Sequence, residues 1–107
     1  MRIPEITPEQ THARIQAGEE ICILDCREGF ELALAKLPFK VLHIPLMQLE
    51  DYEDQLPRDR QIVVMCHHGV RSLTGAMWLR EWGLEAVSMK GGIDRWAIQV
   101  DGSVGRY

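Results

Sequence analysis

The run Ile62-Val63-Val64-Met65 is apolar at every position and passes directly into Cys66-His67-His68-Gly69-Val70-Arg71. This join constrains the chain more than any other feature. A strand that is apolar without alternation is buried on both faces, the signature of a parallel sheet covered by helices on each side. Just beyond the loop, Ser72, Gly75, Ala76, Leu79 and Gly83 follow the i, i+3, i+4, i+7 spacing of one packed helix face. The spacing predicts a helix over about 72–82, lying close to the sheet through its small residues and ended by Gly83.

The remaining elements fit the same pattern. Thr7-Pro8-Glu9-Gln10 has the cap, first-turn proline and N3 glutamine of a helix start, and Gly18 has the residue type that ends one. Ile21-Cys22-Ile23-Leu24-Asp25, Val41 to Ile44 and Ala86-Val87-Ser88-Met89 read as further strands. Strands alternating with helices imply an α/β domain with a mostly parallel sheet. The length of 107 residues suits a single core, so residues 1–107 are expected to form one domain without disulfide or metal staples. The tail from Val100 to Tyr107 is turn-rich and is expected to wrap the surface.

Composition narrows the partners. With 46% hydrophobic and 26% charged residues the chain is ordinary globular material, and its formal net charge of -4 disfavours nucleic acid as the main partner. No apolar stretch approaches the roughly 20 residues that span a bilayer, so no membrane partner is expected. The first residues, Met-Arg-Ile-Pro-Glu, resemble neither a signal nor a transit peptide, and a cytoplasmic location is expected. Cysteines at 22, 26 and 66 have no CxxC spacing, which argues against a disulfide scaffold and a four-ligand zinc site. Adjacent His67 and His68 with Cys66 lack a fourth ligand at suitable spacing, so no metal is expected.

In open parallel sheets, ligands bind beyond the carboxyl ends of the strands. Cys66 stands at such an end. The tight loop after it turns backbone N–H groups inward, the next helix adds partial positive charge at its N-terminus, and Gly69 supplies the freedom the turn needs. A free thiol titrates near ~8.5 and such surroundings favour its thiolate, the nucleophilic form. Cys66 is therefore the expected nucleophile, and the same nest of donors would hold the terminal sulfur of a persulfide.

The ordered set of motifs resembles the rhodanese-like family. Asp25-Cys26-Arg27-Glu28 is similar to that family's Asp-x-Arg-Glu segment, with Glu31, Pro38, Ile44 and Pro45 in register. Cys66 to Arg71, followed by Ser72, is similar to the six-residue active loop of its sulfurtransferases, and Gly91-Gly92-Ile93 with Trp96 to its closing motif. Ala35-Lys36-Leu37 stands where the family has Gly-His-Ile, and Phe39-Lys40 where it has Gly-Ala, departures that bear on substrate preference. The resemblance implies a small α/β fold, a central mostly parallel sheet of about five strands flanked by helices on both faces. It also implies sulfur transfer by double displacement without a cofactor. Cys66 would take sulfane sulfur from a small anionic donor, thiosulfate or a persulfide, and pass it to cyanide, a thiol or an acceptor protein.

Two alternatives share the fold: a phosphatase or arsenate reductase, and a regulatory or binding module without turnover. Cysteine phosphatases close a longer loop around their phosphate, whereas four residues separate Cys66 from Arg71 here, a ring better sized for one sulfur atom. Around Cys66, the loop residues His67, His68, Gly69, Val70 and Arg71 are the expected substrate-binding set, with Asp25, Arg27 and Ser72 in support. His67, His68 and Arg71 would make the rim electropositive. Arg71 is expected either to face an oxyanion or to pair with a carboxylate, Asp25 or Glu28. Cys22 reads as core. Cys26, at the carboxyl end of its strand on the side of Cys66, reads as a cavity filler with resolution of the persulfide as the alternative. Trp78 and Trp82, an i, i+4 pair, read as packing, with a docking patch as the sharper option.

Overall fold

The computed structural model describes residues 2–107. Its sheet has five parallel strands, β1 (Glu5–Ile6), β2 (Cys22–Asp25), β3 (Leu42–His43), β4 (Ile62–Met65) and β5 (Ala86–Met89), in the order β1-β5-β4-β2-β3. Central β4 is buried at all four positions, as its unbroken apolar run predicts.

The helices are α1 (Pro8–Gln16), α2 (Arg71–Glu81) and α3 (Gly92–Gln99), with 3-10 segments at Gly29–Ala33, Leu46–Gln55 and Gly102–Val104. Helix α1 starts on the expected capping box, in which Thr7 and Gln10 exchange side-chain and backbone hydrogen bonds. Helix α2 buries Ser72, Gly75, Ala76 and Leu79, the face read from the spacing. Two apolar layers form on opposite faces of the sheet. One joins Leu24, Val64 and Ala86 to Ala76 and Leu79 of α2 and to Leu49. The other joins Ile23, Val63 and Met89 to Ile93 and Trp96 of α3, with Ile15 of α1 packed against it.

Several elements go beyond the expectation. Strand β1 has two residues, too few to show a period, and is held by main-chain bonds from Ser88 N to Pro4 O and Lys90 N to Ile6 O. Helix α3 begins where only a closing motif was read, with Gly91 and Gly92 in the left-handed region at φ 79° and 63°. Cys22 is half-buried at the edge of its layer, less enclosed than a core residue. The tail does not merely wrap the surface, since Val104 is buried and the Tyr107 side chain reaches the loop after β4. No helix among the described residues is long and apolar enough to cross a membrane.

Candidate functional site

Cys66 follows the last residue of β4, and α2 begins at Arg71, so the intervening loop must turn back sharply. Gly69 makes the turn at φ 92°, a conformation other residues rarely adopt. From the far side α3 fixes the loop. Two amides of its first turn, Ile93 N and Asp94 N, donate to the carbonyls of Cys66 and His67 at 2.9 and 3.1 Å. These carbonyls point outward to α3, and the Gly69 and Ser72 amides are left to turn inward.

The inward amides meet the sulfur. Cys66 Sγ accepts from Gly69 N at 3.1 Å and from Ser72 N, in the first turn of α2, at 3.4 Å. The Ser72 hydroxyl lies 3.4 Å from the same sulfur and 2.7 Å from the hydroxyl of Ser88 on β5. Cys66 is only 1% exposed, its sulfur enclosed beneath the loop. Cys26 lies beside it. Asp25 pairs in register with Met65, and Cys26 N donates to Met65 O at 2.9 Å, so the two cysteines are neighbours at adjacent strand ends in the same apolar layer. Burial pushes the Cys26 thiol well above its ordinary range, and negative charge on Cys66 and Asp25 acts in the same direction.

The sequence suggested Asp25 or Glu28 as the partner of Arg71. The structure corrects this. Asp25 is taken by Arg27, whose Nε and Nη2 donate to its two oxygens at 2.9 and 2.7 Å, and Glu28 is exposed. Arg71 instead donates through both terminal nitrogens to Glu31, Nη1 to Oε2 at 2.7 Å and Nη2 to Oε1 at 2.8 Å. The 3-10 turn Gly29–Ala33 carries Glu31 back toward the loop, and its own N-terminal capping contact, Glu28 N to Glu31 Oε2 at 2.8 Å, fixes the carboxylate. The Arg71 guanidinium therefore does not stand free for an oxyanion. Its hydrogen bonds hold the Glu31 carboxyl down at about 2 and raise Arg71 above its ordinary value against the effect of burial.

Tyr107 joins the two ion pairs. Its hydroxyl accepts from Arg27 Nη1 at 3.0 Å and donates to Glu31 Oε1 at 2.8 Å, and its ring stacks on His67 with centroids 3.7 Å apart. Arg27, fully buried, also donates to the carbonyls of Glu31 and Ala35. Burial alone would lower Arg27, and its bonds to Asp25 and Tyr107 outweigh that and raise it. His67 lies between Tyr107 and His68, whose ring centroid is 3.8 Å away. His68 Nδ1 is 3.9 Å from Asp94, whose closer partner is Arg106 at 2.8 Å, and Val70 projects into solvent.

Of the residues singled out in the sequence, Cys66, Gly69 and Ser72 meet at the sulfur, and Arg71 and His67 join the adjoining network. Asp25 and Arg27 form a separate buried pair linked to it by Tyr107. Trp78 of α2 and Trp82, just past its end, are half-buried and line a hollow of about 230 Å³ with Leu46, Met47 and Glu50. The sequence reading missed Ser88 and Tyr107 as site residues and gave Glu31 only a register. Ser88 had a signal, a hydroxyl inside an otherwise apolar strand. Tyr107 had none.

A family model for the rhodanese-like domain matches residues 7–99 of this chain. The chain belongs to the rhodanese-like domain family. It is 31% identical to a Bacillus subtilis protein provisionally named sulfurtransferase YtwF, over 90% of this chain and 92% of that one. To the thiosulfate sulfurtransferase GlpE of Haemophilus influenzae it is 35% identical, over 90% of each chain. Among solved structures, a rhodanese-related protein from Thermoplasma volcanium superposes with a TM-score of 0.81 at 31% identity, over 91% of this chain and 93% of that one. The five-stranded parallel sheet is thus the arrangement of this rhodanese-like domain's structural relatives.

Proposed function

We propose that this rhodanese-like domain is a sulfurtransferase that carries sulfane sulfur on Cys66 as a persulfide. The observation that carries the reading is the pair of main-chain donors, Gly69 N and Ser72 N, converging on Cys66 Sγ inside a loop with four residues between Cys66 and Arg71. Donors fixed in place stabilise an anionic sulfur without reorganisation during reaction. The names of the GlpE and YtwF relatives support the same class.

The cycle balances without cofactor or metal. The Cys66 thiolate attacks the outer sulfur of thiosulfate, a Cys66–sulfur bond forms, the sulfur–sulfur bond of the donor breaks, and sulfite leaves with the electron pair. Cyanide or a thiolate then attacks the outer sulfur of the persulfide. The Cys66–sulfur bond breaks, and its electron pair returns to Sγ under the same two amides. With Arg71 held by Glu31, attraction of the anionic donor rests on loop amides and on His67 and His68 rather than on a free guanidinium. A location in the cytoplasm, where thiols stay reduced, suits this chemistry.

Intact-mass spectrometry tests it. Thiosulfate is expected to add about 32 Da, one sulfur atom, and cyanide to remove it with release of thiocyanate. Cys66→Ala should do neither. Equal cyanolysis by wild type and Cys66→Ala would defeat the proposal, and hydrolysis of a general phosphatase substrate in its place would favour the phosphatase reading.

A further inference from the structure

We propose that Ser88 on β5 is a positioning residue for the Cys66 sulfur, acting through Ser72 as a two-hydroxyl relay. The inference rests on the reading of Cys66 as the nucleophile and adds a residue of β5, outside the loop, whose hydroxyl bonds to Ser72 and not to the sulfur. Ser88 is fully buried in a strand whose other residues are apolar. Its backbone amide is used by Pro4 O at 3.0 Å, and its hydroxyl is bonded to Ser72 Oγ at 2.7 Å. Ser72, also fully buried, stands between this hydroxyl and Cys66 Sγ at 3.4 Å.

Proton counting along the row Sγ–Oγ72–Oγ88 gives the relay a direction. When Cys66 is a thiol, Sγ–H donates to Ser72, Ser72 donates to Ser88, and the Ser88 proton is left at the end of the row. When the sulfur is an anion, Ser88 donates to Ser72, Ser72 donates to the sulfur, and every proton in the row has an acceptor. A buried donor without an acceptor is costly, and consecutive hydrogen bonds polarise one another. The row therefore favours charge on Sγ, which exists as the nucleophile attacks and returns as the outer sulfur departs. Gly69 N and Ser72 N would hold the sulfur in place, and Ser88 would set which way the Ser72 hydroxyl points. Cys26 and Arg71 are titratable groups that feel charge on the sulfur, and the Ser88 hydroxyl is bonded to Ser72 rather than to either of them.

A double-mutant cycle on the full chain decides the matter. Alkylation of Cys66 by iodoacetamide, followed across pH on the Cys66 peptide, is measured for wild type, Ser88→Ala, Ser72→Ala and the double variant, beside thiosulfate–cyanide turnover. Ser88→Ala is expected to move the alkylation midpoint upward and to lower kcat/KM about three- to ten-fold, the range of one hydrogen bond. In the Ser72→Ala background the same change should do nothing further. An equal effect of Ser88→Ala in both backgrounds, or an unmoved midpoint with Ser72 present, would overturn the relay. Alkylation needs no sulfur donor, so a wild type without turnover would count against the sulfurtransferase reading while this coupling is still read out.

Discussion

Arg71 and Glu31 meet through two parallel hydrogen bonds of 2.7 and 2.8 Å, forty residues apart in the chain. The contact ties the last residue of the cysteine loop to the turn after β2, while Tyr107 and the Glu28 amide occupy the same carboxylate. Glu31 is buried and Arg71 about one-third exposed, so the pair lies at the boundary between interior and solvent. Such a pair supports the loop more than it attracts a substrate, because its charges are largely spent on each other.

Acid stability follows from this pair. Glu31 titrates at about 2 in the fold against an ordinary 4.5. A depressed carboxyl contributes stability that is complete above its unfolded value and lost as pH falls through the folded one. The window here runs from pH 4.5 down to about 2. After allowance for solvent screening at Arg71, the loss should be on the order of 2 kcal/mol. Glu31→Gln should be less stable than wild type at neutral pH, with the difference shrinking across that window in urea unfolding. Parallel acid slopes for the two proteins would contradict this assignment.

The part of this architecture legible in sequence was the part governed by local rules. The unbroken apolar strand, the small-residue face of α2 and the capping box of α1 are each written in neighbouring residues, and each stands where it was expected. The partner of Arg71 was misjudged because choosing among Asp25, Glu28 and Glu31 depends on how the turn at Gly29–Ala33 folds back, which no periodicity encodes. Tyr107 was invisible for the same reason, since its contacts lie 76 and 80 residues away. Ser88 stands in the strand expected of it, but its bond to Ser72 was not anticipated, although a lone hydroxyl in a buried strand requires a partner.

Cys26 should behave as a structural thiol. Its burial beside Cys66 pushes its titration far up, so neutral iodoacetamide should label Cys66 and leave Cys26 unmodified. Cys26→Ala removes one buried atom and should cost about 1 kcal/mol while leaving sulfur transfer at the wild-type level. Labelling of Cys26 at neutral pH, or loss of transfer in the variant, would show instead that the second sulfur takes part in the chemistry.

Tyr107→Phe separates the hydroxyl of this residue from its ring. The stack on His67 is kept, while the bonds to Glu31 and from Arg27 are lost, at a combined cost of about 1–3 kcal/mol. Since the Tyr107 hydroxyl is one of the contacts that lower Glu31, its removal raises that carboxyl, and the acid loss of stability should be smaller and should end at a higher pH than in wild type. An unchanged acid profile would mean that the hydroxyl does not support the pair.

Gly92→Ala probes how the loop is held from the side of α3. At Gly92, φ is 63°, and a Cβ there would overlap the carbonyls of Cys66 and His67, main-chain atoms that no side-chain rotation can move aside. Those carbonyls accept the Ile93 and Asp94 amides in the first turn of α3, so relief of the overlap must pull helix and loop apart. Gly18→Ala is the control, since φ there is 87° but nothing lies near the added carbon. It should cost only the left-handed strain, about 1–2 kcal/mol, with sulfur transfer intact. Gly92→Ala should cost more than that, with overpacking added to the strain, and should slow transfer as the Gly69 and Ser72 amides lose their aim at the sulfur. Thermal unfolding and cyanolysis of the two variants side by side test the argument, and equal behaviour would show that the loop does not depend on its contact with α3.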